Sequence, residues 1–485
     1  MTTQPMAHRW PATHRPPRSL LKALALLMVL AVPWKPATGR NDMRDTTVVR
    51  VMGVTITGNK VTRDRIILRE MIVQEGDTMS SAALYDRLER SRQNLVNTGL
   101  FNTVAVLPLY LDMRSVILEV TVNERWYIWP AVVFDLADPN FNTWWLTKDL
   151  DRVNYGLYLY KYNFRGQNET VYVKAQFGYT HQLALRYRVP YLDKKQRWGM
   201  SLGGSYFQQA EITAGTADNK RLLIRNPDGS NRDEWKADVE ATLRRRHDIR
   251  HSWRLGYTEA GIRDTIARVA LDYFNGDATD TRFLSLGYSV TWDRRDVRVF
   301  PREGHYAELR VDRYGLGLLD KNSPDITTAY ATATRWWRPY DRLTLALALR
   351  GKRTFGTPPY YVQEGLGYRN AVRGYEFYVI DGEHYALGKA NIVFALLKPR
   401  NLRVEAIPIE AFRTLYFALY LDAFVDAGRV WDSRYAGQNF LADQWMSGYG
   451  LGLDLVTSYD QVVRGEYTLN ALGEHGFFLH FTQPF

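Results

Sequence analysis

The 485-residue sequence contains no cysteine and only nine histidines. Without cysteine, disulfides, thiolate metal sites and a lipid-modified cysteine anchor are excluded. The histidines are scattered, and no H-E-x-x-H, G-x-S-x-G or P-loop pattern occurs in the chain. We therefore expect no enzyme activity, no cofactor and no metal site.

Long apolar runs are also missing. No segment after residue 39 reaches the ~18 apolar residues of a membrane-spanning helix, and the mean hydropathy is −0.35. A helical membrane protein is therefore excluded, but a transmembrane barrel is not, because alternate residues of its strands face a polar lumen. The chain has 31 Tyr and 14 Trp, whose amphipathic rings favour membrane interfaces.

The formal net charge of +11 does not indicate a nucleic-acid surface. Residues 1–39 contain five basic residues and no acidic ones; without those five, 58 basic residues remain against 52 acidic ones. Lys and Arg are interspersed with carboxylates along the rest of the chain, as in solvated loops or a charged lumen. We expect no nucleic-acid partner.

Residues 1–39 are predicted to be a secretory signal peptide. Arg18 and Lys22 flank the start of an apolar stretch over residues 20–32, and Ala37 and Gly39 supply small residues for cleavage after position 39. A membrane anchor is disfavoured because the apolar run is only about a dozen residues long.

Residues 48–125 form a distinct unit with helical periodicity. A strand pattern over residues 48–57 ends at the turn dipeptide Gly58-Asn59. Two helical segments follow, and strand patterns over residues 104–109 and 116–123 complete the unit. The expected order is β-α-α-β-β around one small core.

Beyond residue 126 the helical periodicity disappears and alternating segments recur between turns. An even number of strands suits a closed antiparallel barrel, with short turns at one end and long loops at the other. The sixteen predicted strands cover residues 130–136, 155–163, 170–179, 183–189, 198–207, 235–245, 252–257, 283–293, 305–314, 328–336, 343–354, 387–396, 415–425, 449–456, 461–468 and 477–482.

The clearest alternation lies in residues 415–425, whose odd positions are all apolar. Asp422, and Asp426 just beyond, fall on the opposite face, which would be the lumen of a barrel. A soluble sandwich would also alternate, but it would bury its apolar face in a partner sheet. The short and long connections at opposite ends favour the barrel.

The last strand has the form of an outer-membrane C-terminal strand. An apolar edge at the terminus would promote aggregation in a soluble protein, whereas a barrel pairs it with the first strand. A soluble β-protein with an amphipathic terminal strand is the alternative. The residues of this terminal signal are Gly476, Phe477, Leu479, Phe481 and Phe485.

Three motifs resemble those of the BamA/TamA family of outer-membrane assembly barrels. Residues 424–431 resemble its strand-thirteen motif, and residues 48–125 resemble one POTRA domain. The turn between strands eight and nine is represented by Asp293, Arg295, Asp296, Phe300, Pro301 and Gly304, and the V-R-G-[FY] motif of the sixth surface loop by Val372, Arg373, Gly374 and Tyr375.

The resemblance implies a mainly β protein with one POTRA domain and a sixteen-stranded antiparallel transmembrane barrel over residues 126–485. It places the barrel in the bacterial outer membrane and the POTRA domain in the periplasm. In the family the sixth loop enters the barrel, and its Arg meets carboxylates of the inner wall. We accordingly expect Arg373 to pair with Asp426 and Asp422; an exposed loop charge is the alternative.

The function implied by the resemblance is outer-membrane protein assembly, insertion or translocation. The POTRA domain would capture unfolded outer-membrane or secreted polypeptides, and the seam between first and last strands would template their insertion into the lipid bilayer. Periplasmic partner proteins would fit this scheme. Two alternatives stay open: a dedicated secretion barrel for a specific passenger, and a passive outer-membrane channel.

Overall fold

The computed structural model describes residues 47–136, 145, 148, 153–226, 229–270 and 272–481. The predicted signal peptide over residues 1–39 lies outside this part of the chain, as does the terminal Phe485. Among the described residues, no helix is both long enough and apolar enough to cross a membrane.

The N-terminal domain is a four-stranded sheet with two helices. Its sheet order is β2-β1-β4-β3, in which β1 and β4 are parallel. The sequence prediction omitted β2, because three residues are too few to show an alternation. The elements are β1 (Val48–Thr57), α1 (Asp64–Glu70), β2 (Thr78–Ser80), α2 (Ser81–Val96), β3 (Phe101–Tyr110) and β4 (Ser115–Glu124).

The core of this domain forms between α2 and the sheet. Leu84, Leu88 and Leu95 recur at helical spacing on α2 and are all buried, because that face packs on alternate residues of β1 and β4. The helix begins after Ser80, whose hydroxyl accepts a hydrogen bond from the Ala83 amide at 3.3 Å. This N-cap satisfies an amide that has no partner within the helix.

The rest of the chain forms a sixteen-stranded antiparallel sheet. Each predicted strand has a counterpart, and most observed strands are longer because the ladders continue beyond the apolar alternation. The strands are β5 (Ile128–Leu136), β6 (Val153–Phe164), β7 (Glu169–Gly178), β8 (Thr180–Val189), β9 (Trp198–Gln209), β12 (Arg232–Arg244), β13 (Ile249–Ile262), β14 (Asp280–Asp293), β15 (Gly304–Tyr314), β16 (Ile326–Tyr340), β17 (Leu343–Phe355), β18 (His384–Arg403), β19 (Thr414–Trp431), β20 (Trp445–Thr457), β21 (Val462–Asn470) and β22 (His475–His480).

Two of the long loops contain structure that the sequence analysis did not predict. The loop after β9 carries a separate hairpin of β10 (Glu211–Ala217) and β11 (Lys220–Arg225). The loop after β13 carries a one-turn helix, α3 (Asp264–Val269). Ile212 of the hairpin and Ile266 of α3 are buried in one apolar cluster, so the two loops support each other.

The alternation of β19 separates two environments. Leu421 faces outward and is 42% exposed, whereas Asp422 and Asp426 face inward and are fully buried. Carboxylates are buried at such positions only when they are paired. The inner wall of the barrel therefore needs partners that come from elsewhere in the chain.

Those partners come from neighbouring strands and from the connection between β17 and β18, residues 356–383, which we call loop 6. A bridge between Leu366 and Ile380 closes this loop on itself. Val372 and Tyr375 are buried with Val430 of β19 in one apolar cluster. Loop 6 thus packs against the inner face of the sheet.

The sheet has two edge strands. Each strand of this sheet pairs with the next one along the chain from β5 to β22, with β9 pairing directly with β12. Within the described residues, no ladder joins β5 to β22. The short last strand pairs with β21 over six residues, from His475 to His480. We call the junction between β5 and β22 the seam.

Candidate functional site: loop 6, the seam and the POTRA contacts

The conformation of loop 6 at its motif depends on two glycines. Gly374 has φ +91°, a backbone conformation that glycine adopts without steric cost. Gly448 of β20 lies directly against the loop, since a Cβ built there would be 1.7 Å from the Arg373 carbonyl oxygen. The loop backbone can approach the wall this closely only because Gly448 has no side chain.

Arg373 makes its main contact with Asp426. Its Nε lies 2.8 Å from Asp426 Oδ2 and its Nη2 lies 2.5 Å from Oδ1, while its backbone amide donates to Oδ2 at 3.1 Å. This two-pronged geometry uses the planar fork of the guanidinium. The guanidinium carbon also lies 3.7 Å from the ring centroid of Phe424, a cation–π arrangement.

Asp422, the other expected partner, is more distant. Its Oδ2 lies 3.8 Å from Arg373 Nη1 and accepts a hydrogen bond from Asn391 Nδ2 at 2.7 Å. Asp422 therefore belongs to the same cluster but meets Arg373 mainly through Asn391.

Sequence reasoning missed the other residues of this cluster, which come from three further strands. Asn391 Oδ1 accepts from Arg373 Nη2 at 2.8 Å, and Glu466 Oε1 lies 3.4 Å from Arg373 Nη1. Arg464 joins Glu466 at 3.0 Å and makes a two-pronged pair with Asp454. Strand alternation places these side chains on the inner face, but the position of loop 6 decides which inner residues meet Arg373.

We call the connected ion pairs around Arg373 the charge network. Lys389 is the most exposed member, with 11% of its side chain exposed, and the other side chains are buried. A buried charge that loses its partner costs about 3–5 kcal/mol, so each member holds the others in place. The network consists of Arg373, Lys389, Asp422, Asp426, Asp454, Arg464 and Glu466.

The turn between β14 and β15 is closed by its two motif carboxylates. Asp293 accepts from Arg295 Nε and Nη2, both at 2.9 Å. Asp296 Oδ1 accepts the backbone amide of Arg302 at 3.1 Å. Gly304 has φ +110°, and a Cβ there would lie 2.1 Å from the Arg294 carbonyl oxygen. These contacts fix the path of the turn.

The same turn reaches both the inner wall and the POTRA domain. Phe300, beside the half-buried Pro301, stacks on Tyr420 of β19 with ring centroids 4.4 Å apart. Asn97, at the end of α2, donates to the carbonyl of Asp296 at 3.1 Å and accepts from the Arg298 amide at 2.9 Å. The turn motif therefore also anchors the POTRA domain.

A second POTRA contact is a buried ion pair. Glu70, at the end of α1, receives Arg244 Nη1 at 2.6 Å and Nη2 at 2.8 Å, and Arg69 Nη1 lies 3.1 Å away. Burial opposes ionisation of Glu70, but the charge and hydrogen bonds of Arg244 outweigh it and hold the pKa at about 2. Glu70 is therefore ionised at neutral pH.

The POTRA contacts leave a cavity between the domain and the inner wall. Its volume is ≈ 520 Å³, and its lining includes Glu70 and Asn97 from the POTRA domain and Arg188 and Arg250 from the barrel. The interface between the domain and the inner wall therefore encloses a polar cavity.

The inner face of the last strand contacts loop 6. Phe477 and Phe481 face outward and are 69% and 58% exposed, whereas Phe478 faces inward and is buried. The Phe478 ring lies 5.3 Å from the Phe377 ring of loop 6. Gly476 and Leu479 are half-buried between these extremes.

The polar contact of the last strand is made by His480. Its Nε2 lies 3.1 Å from Glu466 Oε2 in β21 and 3.9 Å from Glu376 Oε1 in loop 6. The last strand therefore contacts loop 6 through one apolar pair, Phe478 with Phe377, and one polar pair, His480 with Glu376.

The first strand is held differently, at its end next to the N-terminal domain. Trp129 lies 4.9 Å from Tyr459 and 5.9 Å from Phe412, and Trp126 lies 5.8 Å from Phe412, all as ring-centroid distances. We call these four residues the aromatic clasp. Phe412 precedes β19 and Tyr459 precedes β21, so the clasp joins the start of β5 to the C-terminal part of the sheet.

Comparison with known proteins gives the family. A model of the Omp85 superfamily domain matches residues 163–459, and a POTRA model, described as a surface antigen variable number repeat, matches residues 49–125. The outer membrane protein assembly factor BamA of Neorickettsia risticii is 34% identical over 113 residues, which cover 22% of this chain and only 15% of that protein.

Two solved structures resemble the chain over most of its length. CdiB from Escherichia coli is 13% identical with a TM-score of 0.52, and the alignment covers 89% of this chain and 75% of that one. BamA from Haemophilus ducreyi lacking POTRA domains 1-3 is 16% identical with a TM-score of 0.47, covering 89% of this chain and 83% of that one. The likeness to CdiB supports the fold, and the domain match covers more than half of the sequence. The chain therefore belongs to the Omp85 superfamily, as an outer-membrane β-barrel with a periplasmic POTRA domain.

Proposed function

We propose that this protein assembles or translocates polypeptides at the outer membrane, with the seam as the working element. The supporting observation is the pair of edge strands, β5 and β22, which no ladder joins within the described residues. Both edges are instead held by side-chain contacts. Such a junction can separate without breaking a continuous backbone ladder.

The seam can act without covalent chemistry. An unpaired backbone N–H or C=O group in the hydrocarbon core costs several kcal/mol. An unfolded strand that pairs with an exposed edge satisfies its own backbone groups and those of the barrel. The edges of β5, nine residues long, and β22, six residues long, would therefore template an incoming strand.

The POTRA domain offers a place to receive unfolded polypeptide before it reaches the seam. Its sheet ends at β3, and within the described residues no strand pairs with the outer side of β3. Leu107, Leu109 and Tyr110 are exposed along this ten-residue strand. An open apolar edge of this kind suits strand addition by a partner polypeptide, so we propose β3 as the capture edge for secreted or outer-membrane substrates.

The position of loop 6 favours assembly or translocation over a passive channel. The loop packs against the inner wall through Val372, Tyr375 and Ile380, and Arg373 anchors it in the charge network. A lumen occupied in this way is obstructed at rest. We propose that the motif residues of loop 6 and their partners Asp426 and Asp422 hold this resting position.

The test is a reconstitution of the full protein into liposomes, with an unfolded outer-membrane barrel protein supplied outside. Because the chain has no cysteine, pairs of cysteines can be scanned along β5 and β22 and joined by oxidation. We expect faster substrate folding than in protein-free liposomes, and loss of the acceleration when the seam is oxidised and its return on reduction.

The controls separate the parts of the proposal. Matched cysteine pairs across β13 and β14, which share a continuous ladder, should leave the acceleration unchanged when oxidised. Acceleration that survives a locked seam would contradict templating at the seam. No acceleration by a correctly folded barrel would contradict insertion of barrel substrates, and large steady conductance would instead favour the channel.

A further inference from the structure

The last strand, loop 6 and β21 bring one imidazole and two carboxylates together. Glu376 of loop 6, Glu466 of β21 and His480 of β22 each offer one donor atom, and these atoms lie within 4.8 Å of one another. Glu376 and Glu466 are buried, and His480 is partly buried. The three residues come from separate elements, so only the folded barrel with loop 6 in place assembles them.

The orientation of each carboxylate suits a shared ligand. Glu466 Oε1 accepts from Arg464 at 3.0 Å, while its Oε2 faces His480 Nε2 at 3.1 Å. Glu376 Oε2 accepts the Gly374 amide at 2.8 Å, while its Oε1 lies 3.9 Å from the same nitrogen. Metal-binding carboxylates are commonly held in this manner by an outer hydrogen bond.

The surrounding charge also favours a cation. The charge network contains three cations, Arg373, Lys389 and Arg464. Against them stand its four carboxylates and Glu376, so carboxylates outnumber cations by one even when Arg350, whose charge also acts on Asp426, is included. A bound cation would offset this buried negative charge.

We propose that Glu376, Glu466 and His480 form a binding site for one divalent metal ion of intermediate softness, such as Zn²⁺. Two carboxylate oxygens and one imidazole nitrogen are ligands that Zn²⁺ accepts, and a water would complete a four-coordinate site. The ion would cross-link loop 6 to the last strand beside the seam. The consequence for seam opening rests on the proposed function, whereas metal binding does not.

The decisive measurement is the binding of Zn²⁺ to the full-length protein in detergent micelles after removal of metals with EDTA. We expect one bound Zn²⁺ per chain by equilibrium dialysis and metal analysis. We also expect a higher midpoint temperature of barrel unfolding, when samples heated to increasing temperatures are compared by their mobility on a gel. Co²⁺ in place of Zn²⁺ should give visible absorption bands that added Zn²⁺ removes.

Two variants test the ligands from different elements. His480→Asn keeps a side chain that can hydrogen-bond Glu466, and Glu376→Gln keeps the size of the loop residue. We expect each to weaken Zn²⁺ binding at least tenfold. The matched controls are His475→Asn, an exposed histidine on the same strand, and Glu474→Gln, which lies beside loop 6 at Tyr378; both should bind Zn²⁺ like the wild type.

Three outcomes would overturn the site. One is the absence of stoichiometric Zn²⁺ in the folded wild type, and another is undiminished binding in His480→Asn and Glu376→Gln. The third is stabilisation by mild acid in EDTA with no effect of metal, which would mean that a protonated His480 bridges the two glutamates. All three readouts are independent of substrate folding.

Discussion

The two edges of the barrel sheet are held by different chemistry. On the C-terminal side, β22 is tied from inside the lumen, where Phe478 contacts Phe377 of loop 6 and His480 contacts Glu466. On the N-terminal side, β5 is tied at its periplasmic end by the aromatic clasp, whose rings lie 4.9–5.9 Å apart. One edge depends on a buried charge network and the other on apolar packing near the membrane interface.

This difference implies that the two edges can be released separately. Withdrawal of loop 6 would remove the Phe377 contact from β22, which stays paired with β21, and would leave the clasp intact. Movement of the POTRA domain would pull on the clasp, because only residues 125–127 separate β4 from β5. The seam could therefore respond to the lumen through one edge and to the periplasm through the other.

The largest effect is expected for Arg373→Ala, which removes the anchor of loop 6 and thereby weakens the contact of the loop with β22. It leaves Asp426 buried without its main partner, a change that costs about 3–5 kcal/mol, and it removes one of the cations beside Glu466. We expect a lower thermal midpoint of barrel unfolding and faster proteolysis of loop 6. Arg369→Ala, an exposed arginine in the same loop, is the control. Equal effects of the two variants would contradict the proposed anchoring.

Acid should weaken the docking of the POTRA domain at Glu70. The pKa of Glu70 is about 2 in the docked state and about 4.3 for a free glutamate. Because the docked value is lower, the stabilisation is complete above about pH 4.3 and is lost as the pH falls through about 2; it amounts to ~3 kcal/mol.

The measurement is hydrogen exchange of α1 and of residues 126–129 between pH 6 and 3, corrected for intrinsic rates. We expect α1 to lose protection as the pH falls. Glu70→Gln should show the loss of protection already at pH 6, because glutamine cannot carry the negative charge that pairs with Arg244. An unchanged pH profile in Glu70→Gln would assign the acid effect to other groups.

Gly448→Ala should displace loop 6 without removing any charge. A Cβ at this position would lie 1.7 Å from the Arg373 carbonyl oxygen, and overpacking of this kind costs about 1–3 kcal/mol. Gly204→Ala is the matched control, because its Cβ would have no neighbour closer than 3.9 Å. Proteolysis of loop 6 should increase in the first variant only. Equal proteolysis in both would show that the loop does not depend on this close approach.

Phe412→Ala should weaken the N-terminal hold. Phe412 contacts Trp126, Trp129 and Tyr459, and each aromatic pair contributes about 0.5–1.5 kcal/mol beyond the area it buries. We expect increased exchange at the start of β5 with unchanged protection of β22. Phe355→Ala, an exposed phenylalanine at the end of β17, is the control. Loosening of both edges in Phe412→Ala would contradict their independence.

The sequence predicted the strands better than the contacts between them. Alternation is a local property, so all sixteen strands could be located, and Asp422 and Asp426 could be assigned to the lumen. Glu466 and His480 lie on strands that were also located, but their contact with Glu376 depends on where a 28-residue loop folds. No local pattern encodes that position.

The same limit applies to the POTRA contacts. The turn motif with Asp293 and Asp296 could be identified from its residues, but its contact with Asn97 spans about 200 positions of sequence. Likewise, Trp126 and Phe412 are far apart in the chain, and neither stands out among 65 aromatic residues. Only the folded arrangement of the sheet and the N-terminal domain brings these pairs together.

The smallest effect is expected for Arg125→Gln, which removes the ion pair beside the clasp. Arg125 meets Asp460 through two hydrogen bonds of 2.8 and 3.0 Å, but 43% of the Asp460 side chain is exposed to solvent. Exposed pairs of this kind contribute about 0.2–1 kcal/mol and are screened by salt. We expect a small increase in hydrogen exchange at residues 126–129 at low ionic strength, which disappears at 0.5 M salt, whereas the effect of Phe412→Ala should persist. If salt abolished both effects, the hold on the first strand would be electrostatic, and the contrast between the two edges would be wrong.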